Sequence, residues 1–173
     1  MNNISIRKAT TEDVVSIALL ARVTFREAFG HLFTNNQNLV GYFAESFSIK
    51  ALTEKIRDKN NVYWLALLDN LPVGYAKLIK NSPSHFINDT QVSELQRIYV
   101  LNDFLNKKIG HQLQDAVFKD VKSLKSNHLW LSVYIGNLKA IRFYERYNYK
   151  QLGTHSFGIL NESFDFYVMN KEF

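Results

Sequence analysis

The chain of 173 residues contains no cysteine, which excludes disulfide bonds, thiolate metal sites and a cysteine nucleophile. It has only two prolines and seven glycines, and it shows no repeat, low-complexity tract or linker. We therefore expect one domain that spans residues 1–173. No stretch approaches the roughly 18 apolar residues that a membrane helix needs. Because the polar start MNNISIRKATTED also lacks an apolar signal core, we expect a soluble, cytoplasmic protein.

Hydrophobic residues make up 46% of the chain, which is enough for a packed core. The net charge of +5 favours an anionic partner such as nucleic acid, a membrane surface or a phosphorylated cofactor, although a basic surface also simply aids solubility. The sequence has no helix-turn-helix, zinc-finger or RNP-like pattern, and its five histidines form no HExxH motif or close cluster. We expect no metal, no nucleic-acid partner and no membrane partner.

Hydrophobic periodicity predicts an alternation of strands and helices. Thr10 and Asp13 are spaced as a capping box before the first helix, and Asp69-Asn70 marks a hairpin turn. Leu95 is out of phase with the later apolar residues of its strand, which predicts one β-bulge. The predicted strands cover 4–6, 62–68, 73–79, 92–100, 129–133, 151–159 and 164–171, and the predicted helices cover 14–29, 39–57 (irregular), 109–124 and 138–147. With two parallel strand–helix–strand crossings, this order predicts an α/β (α+β) fold with a mixed sheet and helices on both faces.

The segment between the 92–100 strand and the following helix has one glycine and two lysines. A helix N-terminus offers free N–H groups and a positive dipole end, so this segment is a candidate phosphate-binding loop. On its residues alone it is equally consistent with a plain loop in which Gly110 relaxes the turn.

The segment SELQRIYV (residues 93–100), this loop and its helix resemble the acetyl-CoA-binding core of the GNAT superfamily. The family loop reads approximately Q/R-x-x-G-x-G/A, and only Gly110 matches it; Leu105 stands at the Gln/Arg position and Lys108 at the first glycine. The resemblance implies a largely antiparallel sheet of about seven strands and acetyl-CoA as cosubstrate. It also implies that backbone and loop groups of the following residues bind acetyl-CoA: Ile98, Tyr99, Val100, Leu105, Asn106, Lys107, Lys108, Ile109, Gly110 and His111.

A more specific resemblance lies in NLKAIRFYERYNY (residues 137–149), which is similar to the GNAT pattern N-x-x-A-x-x-F-Y-x-x-x-G-F. Asn137, Ala140, Phe143 and Tyr144 match, and Asn148 replaces the glycine. Asn tolerates the left-handed conformation that ends a helix, so this replacement is mild. The resemblance places these four residues at the cofactor and implies that the Tyr144 phenol protonates the departing thiolate. Without it, Tyr144 is one more aromatic on a helix and Asn137 a helix N-cap.

The implied reaction is direct attack of a neutral primary amine on acetyl-CoA. An alkylamine has a pKa of about 10 and must lose a proton first. Glu94 is the candidate base, alone or through water, although it also fits a solvated strand carboxylate. Glu27, Glu45 and Asp165 are candidate amine-binding carboxylates, and His155 is a candidate lining residue, although the composition favours surface charges for the first three and a structural histidine for the last.

The segments 24–30, 152–157 and 165–169 also resemble the bacterial spermidine/spermine acetyltransferases of the Pai type, so a polyamine is one candidate acceptor and a homodimer is expected from that group alone. Two alternatives stay open. The glycine-poor loop is consistent with a catalytically weak acyl-CoA sensor or regulator, and the acceptor amine could equally be a protein N-terminus or lysine.

Overall fold

The computed structural model describes residues 3–159 and 162–173; residues 1, 2, 160 and 161 of the predicted domain lie outside this set. The strands are β1 Ile4–Lys8, β2 Asn61–Leu68, β3 Leu71–Ile79, β4 Val92–Val100, β5 His128–Tyr134, β6 Lys150–Ile159 and β7 Glu162–Glu172. The helices are α1 Val14–Phe29, α2 Asn36–Ser46, α3 Ile49–Arg57, α4 Ile109–Ser123 and α5 Leu138–Arg146.

The strands form one sheet in the order β1-β2-β3-β4-β5-β7-β6. Every neighbouring pair is antiparallel except β4 and β5, which are parallel. The predicted mixed, largely antiparallel sheet of seven strands is therefore confirmed. The prediction of two parallel crossings is also confirmed: β4 and β5 pair directly, whereas β5 and β6 are parallel to each other because both are antiparallel to β7, which lies between them.

The sheet separates two hydrophobic cores. Alternate residues of β2 point to opposite faces. Trp64, Ala66 and Leu68 pack with α4 on one face, whereas Tyr63 and Leu65 pack with α1, α2 and α3 on the other. Both faces of the central strands are thus covered, which explains why β2 and β3 are almost continuously apolar.

Local sequence signals explain most element ends. The Thr10 hydroxyl and the Asp13 carboxylate form the predicted capping box before α1. Asp69 and Asn70 both have positive φ (48° and 67°), which matches a type I′ hairpin turn between β2 and β3. The predicted bulge in β4 is also confirmed: Leu95 and Arg97 face consecutive β3 residues, so Gln96 is the extra residue.

The predicted irregular helix over 39–57 is two helices. The chain leaves the helical conformation at Phe47, whose side chain is fully buried, and the Ser48 hydroxyl caps α3 by accepting from the Ala51 N–H at 3.2 Å. Burial of Phe47 and a good N-cap residue together favour the break over a continuous helix.

Candidate active site

The parallel strands β4 and β5 separate shortly after they begin. Within the described residues, they pair only from Val92 opposite His128 to Glu94 opposite Trp130. The remaining length of β4 has no partner on that side, so the sheet splits into two arms. A cavity of about 360 Å³, the central cavity, lies in this split and is closed by α1, α2, α5, β6 and β7.

The central cavity brings together seven of the residues that the sequence nominated. Strand β4 supplies the first three, α5 with its N-cap the next three, and β6 the last: Glu94, Ile98, Tyr99, Asn137, Ala140, Tyr144 and His155. The residues from Leu105 to His111, together with Val100 and Phe143, do not line it. The nominated residues thus fall into a cavity group and a group around the N-terminus of α4.

Glu94 lies at the point where β4 and β5 diverge. The Ser82 hydroxyl donates to its Oε2 at 2.9 Å, and the Trp130 indole N–H donates to the Ser82 carbonyl at 2.9 Å. Burial raises the pKa of the Glu94 carboxyl, while the Ser82 hydrogen bond and the charges of Lys77 and Arg97 oppose that rise. A raised pKa makes Glu94 a better proton acceptor than an ordinary surface glutamate.

Tyr144 faces the cavity from the last turns of α5 and is buried, with its ring against Phe143 and Tyr149. Burial raises the pKa of its phenol, so the hydroxyl stays protonated at neutral pH. Residues 3–159 and 162–173 give this hydroxyl no side-chain hydrogen-bond partner. It is therefore available to donate to a ligand atom in the cavity.

The start and end of α5 follow the sequence expectation. Asn137 is the N-cap: its Oδ1 accepts from the Ala140 N–H at 3.1 Å, and the residue also lines the cavity. Its amide N–H₂ is left to face a ligand. Asn148 has a φ of 63°, the left-handed conformation predicted for the residue that replaces glycine.

The N-terminus of α4 is preceded by Asn106 and Lys108, both in the left-handed region with φ of 64° and 60°. Lys108 is the N-cap and makes no side-chain cap, so the first N–H groups of α4 keep the free donors that bind anions. Gly110 has helical backbone and does not shape the turn, contrary to the plain-loop interpretation. The chain holds this tight turn with a lysine where glycine would be less strained.

Side-chain packing connects α4 to α5. The His111 ring lies 5.2 Å from the Phe143 ring, and its Nδ1 lies 2.7 Å from the Tyr147 hydroxyl oxygen. The Ile109 side chain is buried in the core beneath the sheet, so only its backbone can meet a ligand. Phe143 belongs to α5, as does Tyr144. The contact between His111 and Phe143 therefore places the N-terminus of α4 beside the helix that carries the candidate acid.

Arg97 is a functional candidate that the sequence reasoning missed. It lines the central cavity, donates from Nη2 to the Tyr42 hydroxyl at 3.0 Å, and lies 4.7 Å from the centre of the Phe47 ring. The detectable signal was an arginine three residues after Glu94 on the same strand. Its partners Tyr42 and Phe47 are 55 and 50 residues away along the chain, so no sequence pattern indicates their contact.

His155 lines the cavity, with Nε2 2.8 Å from the Ser132 hydroxyl oxygen and its ring stacked on Phe166. His155 therefore lines the cavity, as the sequence predicts, and it also makes a structural hydrogen bond. The three nominated amine-binding carboxylates, Glu27, Glu45 and Asp165, do not line it. Glu27 instead accepts from the Asn102 N–H, and Asp165 accepts from the Ser156 hydroxyl.

Across the part of the chain that the structure describes, no three His, Asp or Glu side chains gather in a way that could hold a metal ion. None of the described helices combines the length and apolar character needed to cross a membrane.

Known proteins resemble this chain in sequence. Residues 24–149 match the sequence profile of the family described as "Acetyltransferase (GNAT) family". An uncharacterised N-acetyltransferase from the pepI 3′ region of Lactobacillus delbrueckii subsp. lactis is 22% identical over 157 residues, covering 91% of this chain and 90% of that protein. An N-alpha-acetyltransferase of Saccharolobus solfataricus is 24% identical over 155 residues, covering 86% and 81% respectively.

Solved structures resemble it in fold. The crystal structure of PaiA N-acetyltransferase from Thermoplasma acidophilum, in complex with coenzyme A, superimposes with a TM-score of 0.81 over 99% of each chain at 21% identity. A ribosomal-protein-alanine N-acetyltransferase from Brucella melitensis superimposes with a TM-score of 0.70 at 17% identity, over 98% of this chain and 99% of that one. At these identities the likeness establishes the shared fold.

Proposed function

The chain belongs to the GNAT family of acetyltransferases, and on that premise we propose that it transfers acetyl from acetyl-CoA directly to a primary amine, with Glu94 as base and Tyr144 as acid. The observation that carries this proposal is the meeting of both side chains in one cavity, at the split between β4 and β5. One is a carboxylate whose pKa is raised by burial, and the other is a buried phenol with a free hydroxyl.

The residues present fit an acyl-CoA. The free N–H groups of the α4 N-terminus, with the ammonium groups of Lys107 and Lys108, suit its phosphates. The unpaired edge of β4 beyond Glu94 suits an extended arm with amide groups, which adds to the sheet as a strand would. Asn137 and Tyr144 then meet the thioester end inside the cavity. The PaiA structure, which binds coenzyme A, supports this interpretation.

In the proposed reaction the acetyl group passes directly from the sulfur of acetyl-CoA to the nitrogen of the acceptor, without an acetylated enzyme intermediate. Glu94 takes a proton from the ammonium form of the acceptor, directly or through water, and leaves a neutral amine. The nitrogen attacks the acetyl carbonyl carbon, whose oxygen is stabilised by backbone N–H groups of the split β4 strand. The carbon–sulfur bond breaks, the sulfur leaves with the bonding pair, and the Tyr144 phenol donates its proton to that thiolate. The nitrogen then loses its extra proton to the Tyr144 phenolate, which restores the phenol and leaves the neutral amide. The chain has no cysteine, which agrees with direct transfer.

Spermidine, suggested by the resemblance to Pai-type enzymes, stays a prediction for the acceptor. The S. solfataricus relative named an N-alpha-acetyltransferase supports a second candidate, a peptide N-terminus. An α-amine has a pKa near 8, so it needs less help from a base than an alkylamine does. A small amine as partner, cytoplasmic location, homodimer formation and metal independence remain predictions of the sequence.

The decisive experiment measures thiol release from acetyl-CoA with a panel of spermidine, simple alkylamines and a short peptide. We expect Tyr144→Phe to lower kcat by about a hundredfold or more while acetyl-CoA still binds, because general acid catalysis contributes roughly 10²–10⁴. Tyr167→Phe, the same change in β7 outside the cavity, is the matched control and should retain wild-type kcat.

Two results would contradict the proposal. Unchanged kcat in Tyr144→Phe would remove its role as acid. Wild-type protein that binds acetyl-CoA but releases no thiol with any amine would favour the sensor or regulator alternative.

A further inference from the structure

Two side chains of opposite charge on β4 line the central cavity. Glu94 is the only acidic side chain among the described lining residues, and Arg97 lines the same cavity. The ion pairs found among the described residues do not include Arg97, so no carboxylate lies within 4 Å of its guanidinium. A guanidinium is always charged at neutral pH and forms a planar fork that matches a carboxylate.

The groups that surround Arg97 do not neutralise it. Its hydrogen-bond partner is the Tyr42 hydroxyl, and burial raises the pKa of the neighbouring Tyr63 and Tyr99 to about 12, so these two phenols are uncharged at neutral pH. Lys77, whose Nζ lies 2.7 Å from the Gln96 Oε1, is paired with Arg97 across β3 and β4 and adds positive potential on the same face of the sheet. A partly buried cation in this setting favours an anionic ligand group.

The register of β4 fixes how far this cation is from the candidate base. Glu94 lies opposite Ile79 and Arg97 opposite Lys77, with Gln96 as the bulge residue between them. The two residues are therefore about 7 Å apart along the strand and share the face toward α1 and α2. A short substrate can place an amine near Glu94 and its other end near Arg97.

We propose that the acceptor is a small primary amine that carries a carboxylate, which the Arg97 guanidinium binds while Glu94 receives the proton of the amine. This inference rests on the proposed acetyl transfer and names its substrate class. A carboxylate suits the site better than a phosphate dianion, because the largely aromatic cavity offers few further donors. A diamine would instead bring its second ammonium toward Arg97, where it is repelled.

The test uses matched acceptors of three, four and five carbons: the alkylamine, the diamine and the ω-amino acid of each length. We expect wild-type kcat/KM for the best amino acid to exceed that of its alkylamine by about tenfold or more, a typical gain for a charge-assisted hydrogen bond, with the diamine lowest. Arg97→Gln should bring the amino acid down to the level of the alkylamine, both measured in the same variant, so that any change in the Glu94 pKa on loss of the Arg97 charge affects the two acceptors alike. Arg97→Lys should retain part of the preference, and Arg57→Gln, an exposed arginine outside the cavity, should retain all of it.

A wild-type preference for diamines, or an Arg97→Gln variant that loses all three acceptor types equally, would overturn the inference and leave Arg97 a structural residue. A protein that turns over none of the amines would contradict the proposed function. The inference about Arg97 would then be tested by measuring ligand binding instead of turnover. N-acetyl amino acids should bind the protein with coenzyme A more tightly than the matched N-alkylacetamides, and only if Arg97 is intact. Equal binding of the two would overturn it.

Discussion

The Ser82 hydroxyl affects the pKa of Glu94, the candidate base. It belongs to the loop between β3 and β4 and donates to Glu94 at 2.9 Å. A donor to the ionised carboxylate lowers its pKa, whereas burial of Glu94 raises it. The balance between these two effects fixes the pH at which Glu94 can accept a proton.

We expect Ser82→Ala to shift the acid limb of the kcat/KM–pH profile to higher pH. Removing the donor takes away an effect that lowers the pKa, so the Glu94 pKa rises and the carboxylate is available only at higher pH. Activity well above this pKa should change little. Profiles of wild type and Ser82→Ala, measured with one amine so that its own titration is common to both, check the prediction.

Ser84→Ala is the matched control for this loop, since the Ser84 hydroxyl accepts from the Phe86 N–H at 3.4 Å and, among the described residues, makes no hydrogen bond to Glu94. Its profile should overlay that of the wild type. If the Ser82→Ala profile also overlays it, Glu94 is not the group that titrates.

At the scale of the element, the entry to α1 depends on one carboxylate. Both oxygens of Asp13 accept from Arg7, at 2.7 and 2.8 Å, and Oδ2 also accepts from the Thr10 N–H at 2.9 Å. The Arg7 hydrogen bonds, with a smaller contribution from Thr10, hold the pKa of the Asp13 carboxyl below its usual range. This capping box ties β1 to the helix that forms one wall of the cavity.

We expect Asp13→Asn to lower the free energy of unfolding at pH 7 by about 1 to 2 kcal/mol, the range of a lost cap or charged hydrogen bond. Because the folded pKa is lowered, the contribution of the carboxylate is present above its unfolded pKa of about 3.9 and is lost as pH falls through the folded pKa. The difference from wild type should therefore vanish in strong acid.

Urea unfolding of both proteins at pH 7 and in strong acid measures this difference. Glu12→Gln, in the same turn, is the control and should differ little from wild type at either pH. A gap between wild type and Asp13→Asn that persisted in acid would assign the loss to packing rather than to charge.

At the scale of the molecule, the sheet is divided where β4 and β5 part. Coenzyme A bound in this split would contact β4 in one arm, α4 below it and α5 of the other arm. A ligand that binds only the folded state stabilises it by mass action. The phosphate contacts at α4 should supply much of this stabilisation.

We expect coenzyme A at about 100 times its Kd to raise the free energy of unfolding by about 2.7 kcal/mol, or Tm by roughly 5 to 10 °C. Pantetheine at the same concentration lacks the pyrophosphate and the 3′-phosphate and should raise Tm far less. Thermal unfolding with each ligand tests this. Equal shifts would exclude the α4 N-terminus as the anion site.

Much of this architecture follows from the sequence because its causes are local. The apolar run of β2, the Asp69-Asn70 turn and the Asn148 helix end reflect preferences over a few residues. The motif from Asn137 to Tyr144 identified the candidate acid and its helix. The bulge in β4 could be predicted from the sequence because a single extra residue reverses the alternation of side chains between the two faces.

Only the tertiary structure decided the features whose partners are distant in the chain. The break at Phe47 depends on a buried site made by α1 and α2, and the insertion of β7 between β5 and β6 depends on pairing across the whole sheet. The charges of the cavity also depend on folding, since Arg97 meets Tyr42 across 55 residues. Periodicity fixes which face a side chain occupies, but long-range packing decides which other side chains share that face, and this sets the chemistry of the site.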